Sequence, residues 1–163
     1  MMLKPEFLTA VVDTREQTPL DVDPLKTVRG TLTTGDYTVL GLESVIAIER
    51  KSESDLLGCV GRDRERFDRE IKRLLAYPVR ALVVESSWQA IELGQWRSKL
   101  TPKQVESSLI GWAAHGLPLV MAGNHARAGR LVARMLWIAA KRRHEETRNL
   151  VWAIEGQKKP DTD

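Results

Sequence analysis

Apolar and β-branched residues fall into short runs divided by polar punctuation, and the spacing switches between a period of two and a period of 3.6 along the chain. Residues 7–12 (FLTAVV) predict a short buried strand that delivers Asp13, Thr14, Arg15 and Glu16 at its end. Residues 28–34 predict a second short strand, stopping at Gly35. Asp36 then heads a run that turns at residues 41–44 and returns through Val45, Ile46, Ala47 and Ile48, the pattern of a β-hairpin. The returning run ends in Glu49, Arg50 and Lys51, and strand alternation puts Glu49 and Lys51 on one side with Arg50 opposite. Residues 79–85 (VRALVVE) predict another core strand ending at Glu85. Residues 117–121 (LPLVM) predict a short apolar strand, placed at a sheet edge by Pro118.

The helical periods lie between and after these runs. Ser52-x-x-Asp55 resembles a capping box and opens a helix that Gly58 and Gly61 interrupt. From Arg62 to about Ala76, Phe67, Ile71 and Leu74 share one face. Arg62, Arg66, Arg69 and Arg73 share the opposite face, with acidic residues interleaved close enough to pair with them. A short helix is expected over 88–93 and a loop over 94–99. Thr101-Pro102-x-Gln104 then begins a helix running to Ala114. A long helix starts at Gly123-Asn124 and continues to about His144, with Ala128, Leu131, Met135, Ile138 and Ala139 as its apolar face. The stretch 145–155 extends that helix or begins another, and 157–163 reads as a polar tail.

Composition narrows the class. At 163 residues, with 42% hydrophobic and 29% charged, the chain suits one α/β domain with a true core. The net charge of +3 identifies no partner by itself, so the distribution of charge matters more. No acidic residue occurs between Ala126 and Arg143, and Arg130 and Arg134 recur along one stripe there. Arg62 and Arg66 lie nearest the glycine-broken turn, and Arg97 and Lys99 flank Trp96 in a loop; all six basic residues are candidates for nucleic-acid contact. A single cysteine, Cys59, provides no disulfide framework. No run is long enough for a membrane span, and no signal-peptide core is present, which predicts a soluble intracellular protein. The three histidines share no ligand spacing, and no phosphate-binding loop of the G-x-x-x-x-G-K-[ST] type occurs.

The chemistry concentrates in residues 34–55. The hairpin brings Asp36 towards Glu49 and Lys51, two carboxylates and an ammonium group at strand ends. Oxygen donors of this kind suit a hard divalent cation, and a lysine beside them can orient water or offset charge on phosphate. That set points to metal-dependent cleavage of a phosphodiester.

The ordered set Val12-Asp13-Thr14-Arg15-Glu16, Gly35-Asp36-Tyr37 and Glu49-Arg50-Lys51-x-x-x-Asp55 resembles the nuclease domain of the XPF family, in the PD-(D/E)xK superfamily. The likeness covers roughly residues 8–85. It implies a restriction-endonuclease-like α/β core, a mixed central sheet flanked by helices, filling residues 1–156 as one nuclease domain with a C-terminal basic helix. It also implies Mg²⁺- or Mn²⁺-dependent cleavage of branched, flap, fork or junction DNA. In that frame Asp36 and Glu49 are metal ligands, and Lys51 assists the water and the phosphate. Asp13 and Glu16 stand in or beside the metal shell, while Arg15, Arg50 and Asp55 support the site. Family members often act as dimers, so a homodimer or a separate DNA-binding partner is expected. The alternative is a DNA-binding scaffold subunit that is silent in cleavage.

Overall fold

The computed structural model describes residues 3–156; the polar tail expected over 157–163 lies outside the described residues. Six strands form one sheet: β1 (Thr9–Asp13), β2 (Lys26–Gly30), β3 (Tyr37–Val39), β4 (Ile46–Lys51), β5 (Val79–Val84) and β6 (Leu119–Met121). Their order across the sheet is β2-β1-β3-β4-β5-β6. β3 is antiparallel to both of its neighbours, and every other adjacent pair is parallel. The C-terminal ends of β1, β4 and β5 and the start of β3 therefore share one end of the sheet. Asp13, Asp36, Glu49–Lys51 and Glu85 all arrive there.

Alternation along the strands serves two cores. Ile46 and Ile48 of β4, with Ala10, Val12, Tyr37, Val39, Ala81 and Val83, face the long helix α5 (His125–Glu155). Ala47 of β4, with Leu82 and Val84 of β5, faces α1 (Glu53–Val60), α2 (Arg64–Leu74), α3 (Trp88–Leu93) and α4 (Pro102–Ala114). The result is a mixed sheet between two helical layers. Phe67 of α2 meets Trp112 of α4 edge-on, ring centres 5.0 Å apart, and ties two helices of that layer together.

Most helix boundaries follow local chemistry visible in the sequence. Thr101 and Gln104 form a complete capping box at α4, and Ser87 caps α3. Ser52 caps α1 through the Asp55 N–H, but the Asp55 carboxylate accepts from the Ser52 hydroxyl instead of reaching back to backbone. Asn124 caps α5, which is one uninterrupted helix to Glu155.

Three expectations change. Residues 5–7 form a 3₁₀ turn with Phe7 exposed, so β1 starts at Thr9. β2 covers Lys26–Gly30 in place of 28–34, and the buried Leu32 lies in the loop that follows. On α5 the centre of the buried face is Gly129, Val132, Ala133, Leu136 and Ala140, while Ile138 is 49% exposed. The reason is close packing: a Cβ at Gly129 would lie 2.1 Å from the Asp21 carbonyl oxygen. Small residues let the 20–25 segment lie directly on the helix.

Candidate active site

A polar cleft of about 320 Å³ opens at the shared strand end. Its position depends on Gly35. That residue has φ +78°, and a Cβ there would press within 3.1 Å of the Ile48 carbonyl oxygen. With the glycine in place, Asp36 N–H donates to Ile48 O at 2.8 Å, and Asp13 N–H donates to Asp36 O at 2.9 Å. Asp36 is thus stitched to β1 and β4 at once. Its carboxylate Oδ2 accepts the Arg50 N–H at 2.8 Å.

Glu49 and Lys51 project into the cleft from the same side of β4, and Lys51 Nζ contacts Glu49 Oε1 directly. The Lys51 ammonium also lies 5.3 Å from the centre of the Phe67 ring, which fixes it from the α2 side. Glu49 is only 2% exposed. Burial, then the charge of Asp36, push its carboxyl up to about 8. Burial likewise raises Asp36 to about 6, against the Arg50 N–H and the charge of Lys51, which favour the carboxylate. Lys51 is desolvated too, yet Glu49 outweighs that and holds the ammonium charged. These are two acids that repel each other's charge beside one cation.

Asp13 behaves in the opposite way. Burial works against its charge, but Arg15 and the Leu32 N–H prevail and hold it down at about 2. Its Oδ1 accepts from Arg15 N–H at 2.9 Å and Arg15 Nε at 2.7 Å; its Oδ2 accepts from Arg15 Nη2 at 3.1 Å and Leu32 N–H at 2.8 Å. Both oxygens are occupied by the protein itself.

Arg50 leaves β4 on the far side. Its Nε donates to Glu85 Oε1 at 2.7 Å and its Nη1 to Glu16 Oε1 at 3.2 Å. His125 Nδ1 sits 2.7 Å from the same Glu85 oxygen, joining the start of α5 to the network. Burial opposes charge on Glu85, and Arg50 and His125 overcome it to hold the carboxyl below its ordinary value. Glu16 is therefore drawn to Arg50, with Tyr37 Oη 3.5 Å from its other oxygen.

Asp13, Arg15, Glu16, Asp36, Glu49, Arg50, Lys51, Asp55 and Arg66 all line the one cleft. Arg62 and Arg97 line an adjoining groove between α1 and the 94–100 loop, where Trp96 anchors the loop by donating to Leu100 O at 2.9 Å. Lys99 is exposed on that loop. Arg130 and Arg134 are on α5, across the sheet from α1 and α2. Sequence reasoning missed Glu70 and Arg73, which face the cleft from α2 together with Arg66. The i, i+4, i+7 spacing of those three residues was the available signal. It missed His125 as well, whose partner is 40 residues away and carries no local signal.

Among the described residues, no group of three or more His, Cys, Asp or Glu side chains is set to hold a metal ion. Asp36 and Glu49 nevertheless fit a hard cation of the Mg²⁺ type, which keeps most of its waters and takes one or two carboxylates. Their raised pKa values come first from burial and then from mutual repulsion of charge, which such a cation would relieve.

The mixed sheet, the two helical layers and this acidic cleft with its lysine define an α/β domain of nuclease type. The ERCC4 domain model matches residues 12–135, and the chain belongs to that family, the XPF-family nuclease domains. Among solved structures, XPF from Aeropyrum pernix matches with a TM-score of 0.65 and 16% identity, over 91% of this chain and 73% of its own. XPF from Aeropyrum pernix in complex with DNA matches with a TM-score of 0.64 and 18% identity, over 82% of this chain and 66% of its own. At these identities the likeness is one of fold. No curated protein sequence matches the chain.

Proposed function

We propose that this chain is a DNA endonuclease that depends on Mg²⁺ or Mn²⁺ and acts on branched, flap, fork or junction DNA. One observation carries the reading: Asp36 and Glu49, both with raised pKa values, share a polar cleft with a charged Lys51. Asp36 and Glu49 would hold the cation, and when bound it would supply Lewis-acid stabilisation of the phosphate and an acidified water. Lys51 would carry positive charge against the phosphate and orient the attacking water. Asp13 is assigned a positioning role, because Arg15 and Leu32 already occupy its carboxylate. Glu16 and Arg50 hold the back of β4, and Asp55 fixes the start of α1.

The DNA would lie across Arg66 and Arg73 at the cleft and reach Arg62, Arg97 and Lys99 beside it, through phosphate contacts. The likeness to XPF from Aeropyrum pernix in complex with DNA supports DNA as the partner class. A homodimer or a separate DNA-binding partner would complete substrate selection, and an intracellular, nucleoid-associated setting agrees with this role. No helix of the described residues is long and apolar enough to cross a membrane.

The test is a labelled panel of flap, fork, Holliday-junction and linear DNA with Mg²⁺, Mn²⁺ or EDTA. Cutting is expected with either metal and not with EDTA. Asp36→Ala and Lys51→Ala are each expected to lower it about 100-fold or more. Unchanged cutting by both variants means another active site. Junction binding without cutting in either metal favours the scaffold reading.

A further inference from the structure

A second concavity lies on the opposite sheet face from the cleft, and it has a different chemistry. It is a groove of about 460 Å³ where the loop preceding β2 crosses the first half of α5. Its floor is apolar: Leu25, Leu131 and Ala133, flanked by Pro5 and Pro24. Its α5 rim carries Arg127, Arg130 and Arg134. All three are exposed, and among the described residues none of their side chains makes an ion pair or a hydrogen bond. At the end of the groove, Trp137 has a buried Nε1–H with no hydrogen-bond partner, and Lys141 sits 5.7 Å from the centre of its ring.

These features go together. A buried N–H without an acceptor is destabilising by roughly 1–3 kcal/mol, so the protein gains when an acceptor reaches it. Three unpaired guanidinium groups beside an apolar floor attract an anion that also carries an apolar group. Arg130 and Arg134 are four residues apart, about 6 Å along the helix axis. That is close to the advance of two residues in an extended chain, whose side chains point to one side.

We propose that this groove docks an acidic segment of a partner protein, with a large apolar side chain seated on Leu25 and Leu131 and carboxylates on Arg130 and Arg134. The charge complementarity selects an acidic guest, and the apolar floor selects a peptide over a nucleic-acid strand. A phosphate backbone gains from guanidinium groups but nothing from Leu25, Ala133 and two prolines. Asp23, on the loop side, repels acid there and leaves the carboxylates of the guest towards α5. The site is independent of the nuclease reading, since it shares no residue with the cleft.

The experiment is fluorescence anisotropy with the full chain and four labelled probes. These are a twelve-residue peptide with Glu at every second position and one central Phe; the same peptide with Ser for Phe; the same peptide with Gln for Glu; and a twelve-nucleotide oligo-dT. The Glu/Phe peptide is expected to bind below about 100 µM, with the Ser and Gln forms at least tenfold weaker. Trp137→Phe, which keeps a ring but removes the N–H, is expected to weaken it about fivefold. Arg130→Glu with Arg134→Glu should abolish binding of the acidic peptide and create binding of a Lys-for-Glu version, which a merely misfolded protein would not do. No binding of the Glu/Phe peptide at 200 µM, with the scale set by ordinary peptide affinities, overturns the proposal. So does an oligo-dT that binds tighter and displaces the peptide, which would make the groove a strand channel.

Discussion

The two sides of β4 meet acids in opposite electrostatic states. On the side of Glu49 and Lys51, Asp36 and Glu49 are raised to about 6 and about 8, with Lys51 in contact with Glu49. Opposite them, Arg50 meets Glu16 and Glu85, and His125 completes the set, so that Glu85 is held below its ordinary value. One residue step along a strand separates a cluster short of positive charge from one that is balanced. The first is suited to recruit a cation, and the second is suited to stay put. Alternation on a strand lets both occur within three consecutive residues without mixing them.

Removing one charge from the cleft side tests the first half of that contrast and has the largest expected effect. Asp36→Asn keeps an oxygen for the Arg50 N–H while deleting the charge. DNA cleavage in Mg²⁺ is expected to fall about 100-fold or more. Stability without metal is expected to rise by about 1–2 kcal/mol at pH 8, in urea unfolding, because the charged form was disfavoured in the fold. A loss of both activity and stability would mean that Asp36 is a structural acid like Asp13. The sign with pH follows from the raised values. The folded chain holds more protons than the unfolded one, so stability without metal falls as pH climbs from about 4 towards 8. Metal binding requires the deprotonated pair, so the rise in Tm on adding Mg²⁺ should grow between pH 5.5 and 8.5. A Tm increment independent of pH removes Asp36 and Glu49 as the ligands.

The balanced side should respond in the other direction. Arg50→Ala leaves Glu16 and Glu85, whose side chains are 8% and 11% exposed, without their shared cation. Breaking a buried pair in this way costs about 3–5 kcal/mol, and two carboxylates lose their partner together. Urea unfolding at pH 7 measures it. Acidification should recover part of the loss as the stranded Glu85 carboxyl takes up a proton. A loss under about 1 kcal/mol, within the range of surface pairs, would show that solvent screens this cluster and that the contrast with the cleft is weaker than its geometry implies.

Much of this was legible in the sequence where the signal is local. Asp36, the turn at residues 41–44 and the Glu49-Arg50-Lys51 run identify the hairpin, because a period of two fixes which side each residue takes. Thr101 with Gln104, and Pro118 at an edge strand, are equally local. What was not legible depends on distant partners. Leu32 is buried without being in a strand because its N–H bonds the Asp13 carboxylate, nineteen residues back. On α5, Ala128, Leu131, Met135 and Ala139 pack on the core as expected, but Ile138 turns outward and packing against Asp21 adds the small Gly129, which hydrophobicity does not single out. Arg130 and Arg134 read as a surface for DNA, but only the topology reveals that they lie across the sheet from the cleft. His125 had no motif at all, and it gains a place solely because α5 begins beside the end of β5.

Asp13 offers the smallest and most specific measurement. It shares the strand end with Asp36, yet it is held at about 2 while Asp36 is raised to about 6. A depressed pKa contributes stability that is complete above the unfolded value near 4 and is lost as pH falls through 2. The contribution is about 1–2 kcal/mol, reduced because the Arg15 side chain is 70% exposed and solvent screens the pair. Asp13→Asn should therefore lose about that much at pH 6, and the gap to wild type should narrow towards pH 2. Arg15→Gln should reproduce most of the loss, because Arg15 supplies three of the four bonds to the carboxylate. One of those three comes from backbone and survives the substitution, so its loss should be the smaller. Asp13→Asn changing Mg²⁺-induced stabilisation as much as Asp36→Asn does would transfer Asp13 to the metal shell and erase the distinction between the two aspartates.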